Sequence, residues 1–163
     1  MIFQKFNYIE QNILSTMKIL KKFLKLLKQK KFNISKVSFF DGQIFAAYPF
    51  ISSLIKKAKK SITLIDNCID ETVLMLFSKN QKVKVTIYSN NISQQIKLDL
   101  VKYNSQYNPI IIKQFNSSHD RFLIIDYKQI YHFGASLKDL GKKWFAFSKF
   151  DIEAVTILSK LER

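Results

Sequence analysis

The chain has 163 residues, 47% hydrophobic and 24% charged, with 15 Phe but only 3 Gly and 2 Pro. That is enough apolar material for one packed core, and too few breakers for a fibrous or loop-dominated protein. Its 27 Lys+Arg against 12 Asp+Glu leave a formal charge of +15, which favours a polyanionic partner, nucleic acid or an anionic membrane surface.

Part of the lysine content accompanies the Asn, Ile and Phe bias of an AT-rich coding sequence. The one cysteine, Cys68, excludes an internal disulfide and fits a reducing cytoplasm. No uncharged apolar run reaches the roughly 20 residues of a membrane span. At the N-terminus Gln4, Lys5, Asn7, Glu10 and Gln11 interrupt any secretion-signal pattern. The expectation is a soluble, cytoplasmic protein without stable membrane insertion.

In chain order, residues 1–36 read as a basic helical arm or connector. "MKILKKFLKLLKQKK" puts Ile19, Leu20, Phe23, Leu24, Leu26 and Leu27 on one broad helical face and lysines on the other. Such a helix can lie on a membrane surface, run along DNA, or pack on its own domain or a second copy. From 37 to 163 strand and helix alternate. "KVSFF" is a predicted strand and Asp41-Gly42 a turn. Phe45 to Lys60 is a predicted helix whose start is drawn towards Ala47 by Pro49. "SITLID" is a strand, Asp70 to Lys79 a helix, and "KVKVTIYS" a strand with Val83, Val85 and Ile87 on one face. Ser93 to Asn104 is a helix; "IIIKQF", "RFLIID" and "QIYHFG" are strands; Asp151 to Leu161 is a closing helix. Strands joined by helices of this length imply crossover connections, so the class is α/β, with a mixed, largely parallel sheet and helices on both faces. The late strands crowd together and include antiparallel pairs.

The chemistry concentrates in "SSHDRFLIID", residues 117–126. Alternation along a strand extended back to His119 puts His119, Arg121, Leu123 and Ile125 on one face, with Asp120, Phe122, Ile124 and Asp126 on the other. His119 and Arg121 are then neighbours about 7 Å apart. A phosphate fits between them. Imidazole can attack phosphorus and guanidinium can neutralise the non-bridging oxygens, with no metal or cofactor.

"HDRFLIID" resembles the H-x-K-x-x-x-x-D signature of the phospholipase D-like superfamily, with Arg121 in the lysine position, and "FGASLKD" is similar to that family's glycine-serine segment. The wider run from "FFDGQIF" to "WFAFSKF" resembles a domain at the C-terminal end of phage-type proteins that carry an N-terminal KilA-N DNA-binding domain. The resemblance implies a phospholipase D-like fold over 37–163 and a recognition domain upstream of this chain. It further implies His119 as nucleophile, Arg121 as phosphate ligand, Asp126 as the motif aspartate and Ser136 as the motif serine. Ala135 is inserted between Gly134 and Ser136, and Lys138 is a candidate replacement ligand. One motif is half a site: His132 in "IYHFG" has no similar surroundings, so turnover requires two chains meeting as a homodimer. Guanidinium and ammonium differ in shape and hydration, so binding can persist at Arg121 where turnover fails.

Other residues were weighed beside these. Asp66 and Asp70 in "LIDNCIDE" can be read as metal ligands, but Asp70 suits a helix N-cap before "ETVLMLF" and Asp66 ends a strand; no metal site is assigned. "GKKWFAFSKF" interleaves lysines with aromatics, a pattern suited to nucleic-acid contact; in so Phe-rich a chain the aromatics are read as core, and Lys142 and Lys143 join Lys138 as candidate backbone ligands. The lysines of "LIKKAKKS" form a solvated face that adds to the attracting field. Two functions stay open: a DNA-associated domain with a degenerate half site that binds the phosphodiester backbone, and a metal-independent phosphodiesterase or nuclease acting as a homodimer through a phosphohistidine. Lipid cleavage is a weaker third reading.

Overall fold

The structure, a computed structural model, describes residues 36–39, 44–140, 142, 144–150 and 154–161. The chain divides into two units, Met1–Asn33 and Ile34–Arg163, and the described residues belong to the second. The basic arm, the Asp41-Gly42 turn and Lys143 lie outside the described residues.

Seven strands form one sheet: β1 (Lys36–Phe39), β2 (Ser61–Ile65), β3 (Lys84–Ser89), β4 (Ile110–Gln114), β5 (Arg121–Ile125), β6 (Gln129–Phe133) and β7 (Phe145–Phe150). Their order across the sheet is β1-β7-β6-β5-β2-β3-β4. The helices are α1 (Ile44–Lys57), α2 (Glu71–Phe77), α3 (Gln94–Gln106) and α4 (Ala154–Leu161), with a 3-10 turn at Leu137–Asp139. The α/β class read from the sequence holds, with a different balance of pairings. β2–β3 and β3–β4 are parallel, whereas β2–β5, β5–β6, β6–β7 and β1–β7 are antiparallel. β7 was not anticipated as a strand. Its aromatics alternate, Phe145 and Phe147 being buried while Ala146 is exposed, so the basic-aromatic segment is largely core.

Helix ends follow local chemistry. Asp70 caps α2 by accepting from Thr72 N (3.1 Å) and Val73 N (3.4 Å), and Ser93 caps α3 by accepting from Ile96 N (3.2 Å). α1 begins at Ile44 rather than near Ala47, with Pro49 inside it. That proline supplies no N–H to the carbonyl one turn earlier, a single lost bond that the packed helix tolerates. The main core lies between one sheet face and α1, α2 and α3: Ile51, Ile55, Leu74, Phe77 and Ile96 meet Ile62, Leu64, Ile87, Leu123, Phe133 and Phe147. On the other face Ala154, Ile157 and Leu158 of α4 pack with Ile124, Ile130, Phe122 and Phe150. Helices therefore cover both faces.

The pairings set which residues share an edge. β1, β2, β3, β4 and β6 run one way and β5 and β7 the other. The carboxyl ends of β2, β3, β4 and β6 thus meet the starts of β5 and β7. Open α/β sheets tend to bind ligands beyond strand carboxyl ends.

Candidate functional site

At that edge the β2–β5 register pairs Leu64 with Leu123 and Ile65 with Phe122, so the next antiparallel partners are Asp66 and Arg121. Both lie on the face of the main core. Asp66 is 0% exposed, and Arg121 is half-buried as the first residue of β5. Asp66 accepts hydrogen bonds from Ser136 Oγ (2.9 Å), Leu137 N (2.9 Å) and Cys68 N (3.1 Å). Burial pushes its carboxyl above the ordinary value, opposed by these three donors and by the Arg121 charge.

Ser136 Oγ also lies 2.5 Å from the Cys68 carbonyl. A hydroxyl has one proton, so it cannot donate to both acceptors. The two acceptors compete for that proton. Asp66 therefore anchors the segment that follows β6 across 70 residues of sequence, and Ser136 caps the 3-10 turn carrying Lys138.

Arg121 Nε is buried without a hydrogen-bond partner. So is Asn67 Oδ1, while Asn67 Nδ2 donates to Ser118 O at 2.5 Å and ties the loop before β5 to the end of β2. Leaving a buried donor without a partner costs about 1–3 kcal/mol. His119 is exposed and lies in a bend ahead of β5, not in the strand. Among the described residues nothing hydrogen-bonds its imidazole.

The other sequence-predicted residues divide by position. Asp126 sits at the far end of β5, where its carboxylate accepts from Lys59 N (3.0 Å), Lys60 N (2.6 Å) and Ser61 N (3.1 Å). It lies five residue steps along the strand from Arg121, about 16 Å at the usual rise. It caps the α1–β2 link and does not reach the phosphate that His119 and Arg121 would hold. Lys138 and Lys142 line a cleft of about 290 Å³ with Tyr48, Asp70 and Leu140; Lys142 Nζ pairs with Asp139 at 3.0 Å. His132 stacks on Phe150 and faces Asp120 at 3.5 Å, on the sheet face opposite Arg121. Asp66 and Asp70 serve as anchor and cap, and no group of three or more His, Cys, Asp or Glu side chains gathers among the described residues. Asn67 and the anchoring role of Asp66 were missed from the sequence; polar residues at a strand's carboxyl end were the available signal.

The fold is that of known structures. NucT from Helicobacter pylori superposes with a TM-score of 0.55 at 15% identity, covering 78% of this chain and 91% of NucT. TrmBL2, described as an archaeal chromatin protein with a novel mode of DNA binding, gives a TM-score of 0.52 at 14% identity over 99% of this chain, which spans 64% of TrmBL2. No family model matches the chain, and no curated protein matches it by sequence. No helix among the described residues is long and apolar enough to cross a membrane.

Proposed function

We propose that the chain is a phospholipase D-like, DNA-associated domain whose half site at the mouth of β5 binds the phosphodiester backbone. The observation that carries this reading is Arg121, a half-buried guanidinium at the start of β5, two residues after exposed His119, at the edge where ligands collect. The positive charge, the resemblance of "HDRFLIID" to the family signature and the fold shared with NucT and TrmBL2 support it. TrmBL2 is a DNA-binding chromatin protein, and the KilA-N resemblance of the wider run agrees with that. Binding is favoured over turnover because a guanidinium stands where the motif has an ammonium and one motif is half a site.

The test is DNA affinity and hydrolysis of a simple phosphodiester in the presence of EDTA, with wild type beside Arg121→Ala and His119→Ala. The expected result is salt-sensitive binding weakened about tenfold or more by Arg121→Ala, the scale of one lost charge-assisted contact, without turnover. Unchanged affinity in Arg121→Ala contradicts the reading. The phosphodiesterase reading is favoured by one feature, the Ser136 segment brought by Asp66 to the edge where Arg121 lies. It requires EDTA-resistant turnover by a dimer, abolished by His119→Ala.

A further inference from the structure

We propose that the sheet edge remote from the half site is a second polyanion-binding surface, shaped for the phosphate backbone of nucleic acid. Eight exposed lysines meet there: Lys56 and Lys57 in the last turn of α1, Lys59 and Lys60 before β2, Lys79 and Lys82 before β3, Lys84 at its start, and Lys128 in the β5–β6 turn. Their backbones are stapled into one platform. Asn80 Nδ2 donates to Ile55 O (2.8 Å) and Ala58 O (3.0 Å), Lys84 N donates to Lys60 O (3.2 Å), and Asp126 joins the β5–β6 turn to Lys59, Lys60 and Ser61. Asn108 Nδ2 adds the start of β4 through Val83 O at 2.7 Å.

Offsetting charge is sparse among the described residues, where the Asp126 carboxylate interacts with the Lys60 charge. None of the eight is in an ion pair among the described residues, where Lys102–Asp99 and Lys142–Asp139 are the lysine pairs. The described acid at this edge, Asp126, is turned into backbone amides. Lys56 and Lys57 have an ordinary role at a helix C-terminus; the other six do not. Coding bias supplies lysines anywhere on a surface, whereas here they converge from three connections. Like charges held together with few counter-charges repel, and a polyanion relieves that repulsion. The same edge carries Tyr127, 54% exposed at the hairpin tip, and a cleft of about 490 Å³ walled in part by Lys84, Asn108 and Tyr127. An exposed aromatic beside a basic track suits an unpaired base as well as backbone.

The test compares the full chain with two variants of equal net charge in fluorescence anisotropy with a short random-sequence DNA duplex. One carries Lys59→Ala, Lys60→Ala and Lys84→Ala; the other carries Lys97→Ala, Lys102→Ala and Lys113→Ala, exposed lysines away from this edge. The edge variant is expected to bind at least about tenfold more weakly and to lose about 3 from the slope of log K against log salt, while the control changes far less. Equal losses in both variants mean that only the overall field acts, and overturn the proposal. So does an edge variant that keeps its DNA affinity but loses binding to phosphatidylserine vesicles. A Lys→Gln version, checked for an unchanged urea midpoint, separates charge from folding. Failure of this surface is distinguishable from failure of the half site, because Arg121→Ala leaves the edge lysines in place.

Discussion

Ser136 shows how a single hydroxyl can hold a site together. It bonds a fully buried carboxylate and a carbonyl from the opposite connection, and caps the turn that presents Lys138. Ser136→Ala leaves Asp66 or Cys68 O short of a partner, and a loss of about 1–3 kcal/mol in urea unfolding is expected. The same change is expected to reduce any affinity that depends on Lys138. Asp66 itself has a raised pKa, so its ionisation opposes folding. Its contribution is fully present below the ordinary carboxylate value of 3.8 and is lost as pH rises through the raised value. Asp66 was legible as the end of a strand, but its partner stands 70 residues away, a distance no local pattern spans.

The β5–β6 hairpin shows the same limit for an element. Both strands were legible from alternating apolar residues, whereas the role of Asp126 was not. The family signature drew that residue towards the half site, but the structure spends its carboxylate on three amides at the other end of the strand. Burial raises its pKa, but the donors Lys60, Ser61 and Lys59 outweigh that effect and hold it below the ordinary 3.8. A lowered carboxyl pKa stabilises the fold above the unfolded value, and the gain disappears as pH falls through the folded one. Asp126→Ala is therefore expected to cost about 1.5–3 kcal/mol at neutral pH by urea unfolding, and less below pH 3.8. Tyr127 follows at φ 59° after Asp126 at φ 55°, and Lys128 N closes the turn on Ile125 O at 3.0 Å. Two consecutive positive φ values describe a type I′ hairpin, which favours glycine in the second position. Tyr127→Gly is expected to stabilise the protein by about 1 kcal/mol in the same assay while weakening DNA binding at the basic edge. A loss of stability contradicts the strain argument. The aromatics of β7 were legible as core, but its strand was not, although Phe145 and Phe147 are buried with a period of two.

Across the described residues as a whole, the sheet separates two groups of polar side chains by its two edges. The carboxyl ends of β2, β3, β4 and β6 gather Asp66, Asn67, Arg121 and Ser136; the opposite ends gather unpaired lysines and the Asp126 staple. The class of fold was legible because crossover helices and alternating strands are local patterns. The pairing balance was not, because antiparallel addition of β5, β6 and β7 depends on contacts remote in sequence. The most direct measurement for the half site is side-chain nitrogen–proton NMR of the full chain during titration with a dinucleotide phosphodiester. Saturable, concerted shifts of the Arg121 Nε–H and the His119 ring resonances are expected, and both should be lost in Arg121→Ala. Resonances that stay in place while the dinucleotide binds elsewhere would contradict a phosphodiester site at the mouth of β5.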